Sequence, residues 1–172
     1  MAIKNILVSW TGLPGAQDAL ALAAQMARKH DAHLTALYAH GASRIAAALG
    51  PWVPADAAEP LRQAERERAA AVAAAFHELS FELARERPGK VHFLEMGEDP
   101  DDALIEAARV YDLLIMGRDE PCSDTAHYVP TPDVVALRAG RPVLIVPPGY
   151  RTERLIERAI LAWDGGKAAA RA

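Results

Sequence analysis

Residue types able to do chemistry are sparse in this sequence. His30, His33 and His40 stand close together, and a His-x-x-His spacing is one that metals use. His33 and His40 bracket a single apolar run, HLTALYAH, and as the two ends of one strand they lie about 20 Å apart, too far to share an ion. Asp99, Asp101 and Asp102 gather carboxylates in GEDPDDA. Acids at the front of a helix accept its free N–H groups and oppose its dipole, and that capping role accounts for them. Cys122 is the only cysteine, so no internal disulfide or paired-cysteine metal knuckle forms, and it reads as a loop residue. No serine–histidine–acid set, Walker loop, dinucleotide glycine fingerprint or zinc spacing occurs. The sequence therefore predicts a non-enzymatic protein without a metal.

Composition narrows the classes further. The chain has 172 residues, 51% hydrophobic and 24% charged, enough to bury one core with about twenty residues to spare. A net charge of -4 offers no broad basic surface for a phosphate backbone, which argues against nucleic acid. The apolar runs are strand-length, no signal peptide is recognisable, and the expectation is a cytoplasmic protein without a membrane segment.

These residues must be positioned by alternating strands and helices. Ile6, Leu7, Val8 and Trp10 form a first strand, Thr11-Gly12 a turn, and Ala16 to Arg28 a helix entered at Pro14-Gly15. His33 to His40 is the second strand. A proline-punctuated loop runs from Gly41 to Pro60. Leu61 to Arg87 is a long helix with Val72, Phe76, Leu79 and Leu83 on one face. VHFLEM, DLLIMG and PVLIVP supply three more strands, with helices over Asp101–Arg109 and Asp133–Ala139 between them. The last two strands are unbroken apolar runs, as expected of strands covered on both faces. The alternation predicts an α/β fold, a five-stranded parallel doubly wound sheet with helices on both faces. Ligands in such sheets bind beyond the carboxyl ends of the strands, here the loops at Thr11–Gly15, His40–Gly41 and Gly117–Thr131.

KNILVSWTG, DLLIMGRDE and RPVLIVPPGY, with the spacing of all five strands over residues 1 to 148, resemble the universal stress protein family. The resemblance implies a strand order of 3-2-1-4-5, a stress-linked role, and a homodimer formed through the fifth strand, Pro142, Val143, Leu144, Ile145 and Val146. Some family members bind ATP or AMP. In those, an Asp ends the first strand and contacts base and ribose, and Gly-x-x-Gly, nine residues, Gly-Ser/Thr cradles the phosphates. By resemblance the nucleotide-site positions here are Thr11, Gly12, His40, Met116, Gly117, Arg118 and Thr131. The departures are marked: Thr11 replaces the Asp, Glu120 the second glycine and Pro130 the third. Asp119 and Glu120 bring negative charge to the phosphate position, and Pro130 has no N–H to donate. Thr131 with Pro132 reads as an N-cap followed by proline at the first helical position, with Asp133 answering the helix dipole. Arg118 is the one group favouring an anion. The expectation is a degenerate nucleotide site and no cofactor, the rival reading being a switch that binds ATP or AMP through Gly117, Arg118 and Thr131.

Two segments fall outside that site. Ile45, Leu49, Trp52 and Val53 lie in a loop long enough to act as a lid over the sheet or as an apolar patch for a protein partner. At the other end, RAILAWDGGKAAARA repeats the grammar of the opening strand, turn and helix, with Asp164 where the first copy has Thr11. This divides the chain into a domain over 1–148, a linker over 149–158 and the start of a second repeat over 159–172.

Overall fold

The computed structural model describes residues 2–41, 55–119, 128–155 and 160. Chain order is β1 (Asn5–Ser9), α1 (Pro14–His30), β2 (His33–Ala39), α2 (Ala55–Glu86), β3 (Val91–Met96), α3 (Pro100–Ala108), β4 (Leu113–Gly117), α4 (Pro132–Arg138) and β5 (Val143–Val146). The strands form one parallel sheet in the order β3-β2-β1-β4-β5. The order reverses between β1 and β4, which places the switch point at the Thr11 and Gly117 loops.

Two cores sandwich the sheet. On one face Ile6, Val8, Leu34, Ala36, Tyr38 and Ile115 pack under α1 and α2, with Trp10 and Phe76 edge-to-face at 6.0 Å. On the other, Leu7, Leu37, Leu114 and Met116 meet α3 and Val135 of α4. Because both faces of β1, β2 and β4 are covered, their residues are buried without alternation, as their apolar runs require. The edge strands differ: Leu94 on β3 and Ile145 on β5 are more than a third exposed.

Helix α2 departs from its expected form. It begins at Ala55 rather than Leu61 and carries Pro60 inside it. Its buried stripe runs Glu65, Ala69, Val72, Phe76, Ser80 and Leu83, while Leu79, expected on that face, is 54% exposed. Beyond β5 the chain is tied to α1. Asp18, buried on α1, accepts from the Gly149 N–H at 2.6 Å and from the Arg151 guanidinium, and Gln25 donates to the Thr152 carbonyl at 2.8 Å. The first part of the expected linker is thus anchored. Trp52, Glu120, Cys122 and Asp164 lie outside the described residues, as does the segment expected to begin a second repeat except for Ile160, which is fully exposed. Among the described residues no helix is long and apolar enough to cross a membrane.

Candidate functional site

At the switch point the first turn of α1 meets the end of β4. Leu13, at the N-cap of α1, makes no side-chain cap bond, and the first turn carries no acid. Four N–H groups at a helix start need partners. One is supplied from across the sheet, where Asp119 Oδ1 accepts the Gly15 N–H at 2.7 Å and Oδ2 lies 3.5 Å from the Thr11 hydroxyl. That hydroxyl also accepts the Leu13 N–H at 3.2 Å, so Thr11 is fixed in the turn that Gly12 closes with φ +77°. The approach is close. A Cβ on Gly117 would sit 2.0 Å from the Gly15 carbonyl oxygen, and one on Gly15 would sit 2.6 Å from Asp119 Oδ1. Both glycines are needed for packing alone.

The start of α4 is closed in the same manner. Thr131 is its N-cap residue and Pro132 follows in the first turn, as expected, but the Thr131 side chain makes no cap bond. Its N–H donates instead to Asp101 Oδ1 at 2.6 Å, and Asp101 stands in the first turn of α3, where Asp99 Oδ1 accepts the Asp101 and Asp102 N–H groups. Those acids cap, as expected, and one reaches further. Pro130 is buried, and the Met116 side chain lies wholly in the core. Arg118 donates its backbone N–H to the Val146 carbonyl at 3.0 Å and holds its side chain in solvent.

The ends of β2 and β3 meet the N-terminal half of α2. His40 Nε2 pairs with Glu95 Oε1 at 3.0 Å, and its ring lies 5.5 Å from that of Tyr38. The Arg68 guanidinium stacks over Tyr128 at 4.2 Å from the ring centre. Burial pushes the Tyr38 phenol above its ordinary range, while the charge of the neighbouring Arg68 and a hydrogen bond with it oppose that shift. Among the described residues, the buried Arg68 Nε and His40 Nδ1 have no hydrogen-bond partner. Tyr38, Arg68, Glu95 and Tyr128 form a second polar cluster that the motif positions did not include.

The remaining histidines behave differently from expectation in one respect. His33 stands at the opposite end of β2 from His40, but it stacks on His92 of β3, with Nδ1 and Nε2 3.4 Å apart. Among the described residues no three histidine, cysteine, aspartate or glutamate side chains gather to hold a metal.

The chain matches the universal stress protein family over residues 2–147. No curated protein matches it by sequence. Among solved structures it is similar to the universal stress protein UspA of Lactobacillus plantarum, at 22% identity and TM-score 0.64, covering 85% of this chain and 99% of that one. A universal stress family protein of Burkholderia pseudomallei is similar at 24% identity and TM-score 0.57, with 85% and 97% covered. An Arabidopsis thaliana family protein, solved with AMP bound, is similar at 12% identity and TM-score 0.54, with 85% and 92% covered. At these identities the likeness concerns the fold.

Proposed function

Since the chain belongs to the universal stress protein family, we propose that it is a non-enzymatic stress-response binding protein whose phosphate side is closed by its own carboxylates. One observation carries this reading. Asp119 takes the Gly15 N–H and Asp101 takes the Thr131 N–H, so donors facing the switch point are already matched to anions. An incoming phosphate would have to displace a carboxylate held by a short, charge-assisted bond and then lie beside that carboxylate's charge. Thr11 strengthens the reading, because its buried hydroxyl is spent within the turn and it brings no carboxylate to a ribose. The proposal includes a homodimer formed through β5 and a cytoplasmic location.

Calorimetric titration with ATP and AMP tests it. We expect no saturable binding tighter than about 1 mM for the unaltered chain, and a gain of at least about tenfold in the Asp101→Ala/Asp119→Ala double variant. A micromolar dissociation constant for the unaltered chain would overturn the closed site. That outcome would favour a nucleotide-dependent switch, a reading supported by the AMP-bound Arabidopsis relative and by the exposed Arg118 beside Gly117.

A further inference from the structure

We propose that this chain binds a divalent transition-metal ion of the zinc or nickel class between His33 of β2 and His92 of β3. The inference goes beyond the binding reading above and is independent of the carboxylate closure. The two residues stand 59 positions apart in sequence, so no local motif joins them. Strand register does. His92 pairs with Thr35, and Thr35 faces the same side of the sheet as His33, two residues before it. The ring planes are 9° apart, and His33 Nδ1 stands 3.4 Å from His92 Nε2. The backbone beneath is held on both sides. The His33 N–H donates to the Lys4 carbonyl at 2.7 Å and the Leu34 N–H to the Lys90 carbonyl at 2.8 Å.

The spacing suits an ion better than a hydrogen bond. Protein hydrogen bonds from an N–H donor ordinarily span about 2.7–3.2 Å, shorter than this pair. Two imidazole nitrogens, each about 2.0–2.1 Å from a tetrahedral zinc, lie about 3.4 Å from one another. Imidazole is also the side chain that zinc and nickel share as a ligand. Access is open. Both rings are exposed, and Leu94, next on the same face of β3, is 39% exposed, so the ion enters from solvent and water completes its shell. Small rotamer changes of exposed rings aim both lone pairs at one point. Of the cations at these strand starts, Arg87 and Lys90 are both paired with Asp31. Bound there, the ion ties the edge strand β3 to β2 at the end of β2 opposite His40.

Zinc chloride and nickel chloride, titrated separately into the tag-free full chain at about pH 7.5, where an ordinary imidazole is neutral, test the site by calorimetry. We expect at least one ion to bind more tightly than about 0.5 mM, with a loss of at least about fivefold in His33→Gln and in His92→Gln. His30→Gln, which breaks the His-x-x-His spacing, and His40→Gln should bind as the unaltered chain does. Thermal unfolding supplies a second readout. An ion that grips only the folded pair should raise Tm by about 3 °C or more at ten times its dissociation constant, and His92→Gln should remove the rise. Zinc-induced shifts of the His33 and His92 ring resonances in the unaltered chain check the assignment without any substitution. The proposal fails if neither ion binds more tightly than about 0.5 mM, or if either His33→Gln or His92→Gln loses less than about fivefold. It also fails if Tm does not rise, if the ring resonances of other histidines shift in place of these two, or if His30→Gln or His40→Gln abolishes binding.

Discussion

Gly117 has two separable reasons to be glycine, and only one involves a ligand. The added Cβ of Gly117→Ala would stand 2.0 Å from a backbone oxygen of α1, which cannot swing aside as a flexible side chain could. We expect Gly117→Ala to destabilise the fold by about 3 kcal/mol or more, read as a lowered denaturant midpoint, in the absence of any nucleotide. An unchanged midpoint would show that the α1–β4 approach is looser than described. The same contrast explains what the sequence could and could not disclose about the site. Motif spacing located Thr11, Gly117 and Thr131 at the switch point, because loop position follows from strand order. It identified Asp119 only as a charge repelling phosphate. Its role as a partner for the uncapped start of α1 depends on a contact across 104 residues of chain, which no local pattern carries. Arg68 was legible in principle: counted from Phe76 and Val72, it adjoins the core-facing row, and a charge there is a signal.

At the scale of elements, strands were easier to place than the long helix. Unbroken apolar runs mark β1, β2 and β4 because burial on both faces removes any polar alternation. The start of α2 was hidden by Pro60, which suggests a loop. Pro60 stands past the first four residues of the helix, so it forgoes a bond that another residue there would make, and the alanine- and glutamate-rich sequence around it is helical despite that cost. The expected face of α2 erred at Leu79, since a spacing of three or four residues leaves two rows to choose between and the buried one passes through Ser80. Where strands begin, a carboxylate sets the register. Asp112, just before β4, accepts the Lys4 and Asn5 N–H groups at 2.8 and 2.9 Å, and these bonds hold its carboxyl below the usual aspartate range. A depressed folded pKa gives stability that is present above the unfolded value of about 3.9 and lost as pH falls through the folded one. The Tm difference between the unaltered chain and Asp112→Asn should therefore be full above about pH 5 and close below about pH 4. A difference that stays constant down to pH 2.5 or so would mean the anion contributes nothing beyond the amide.

At the scale of the whole molecule the sheet ends in two edge strands, β3 and β5, and among the described residues the two edges are managed differently. An unpaired strand edge invites pairing with another chain unless charge, proline or cover prevents it. On β3 the edge carries Glu95 with its His40 partner, follows Lys90, and is interrupted by the exposed His92. On β5 there is no charge between Pro142 and Pro147, Val143 and Leu144 are half-buried, and Ile145 is 41% exposed. The described residues that follow β5 direct their polar ties to Asp18 and Gln25 of α1 rather than to this edge. A net charge of -4 spread over 172 residues is too weak a field to keep two such edges apart at physiological ionic strength. The proposed homodimer through β5 follows from that asymmetry. Sedimentation velocity at micromolar concentration should show a dimer for the unaltered chain and a monomer for Ile145→Lys, with nearly unchanged unfolding because the substituted side chain already reaches solvent. A lysine at the matching exposed position of β3, Leu94→Lys, should leave the dimer intact. A monomeric unaltered chain, or dissociation by Leu94→Lys rather than Ile145→Lys, would assign the association to another surface.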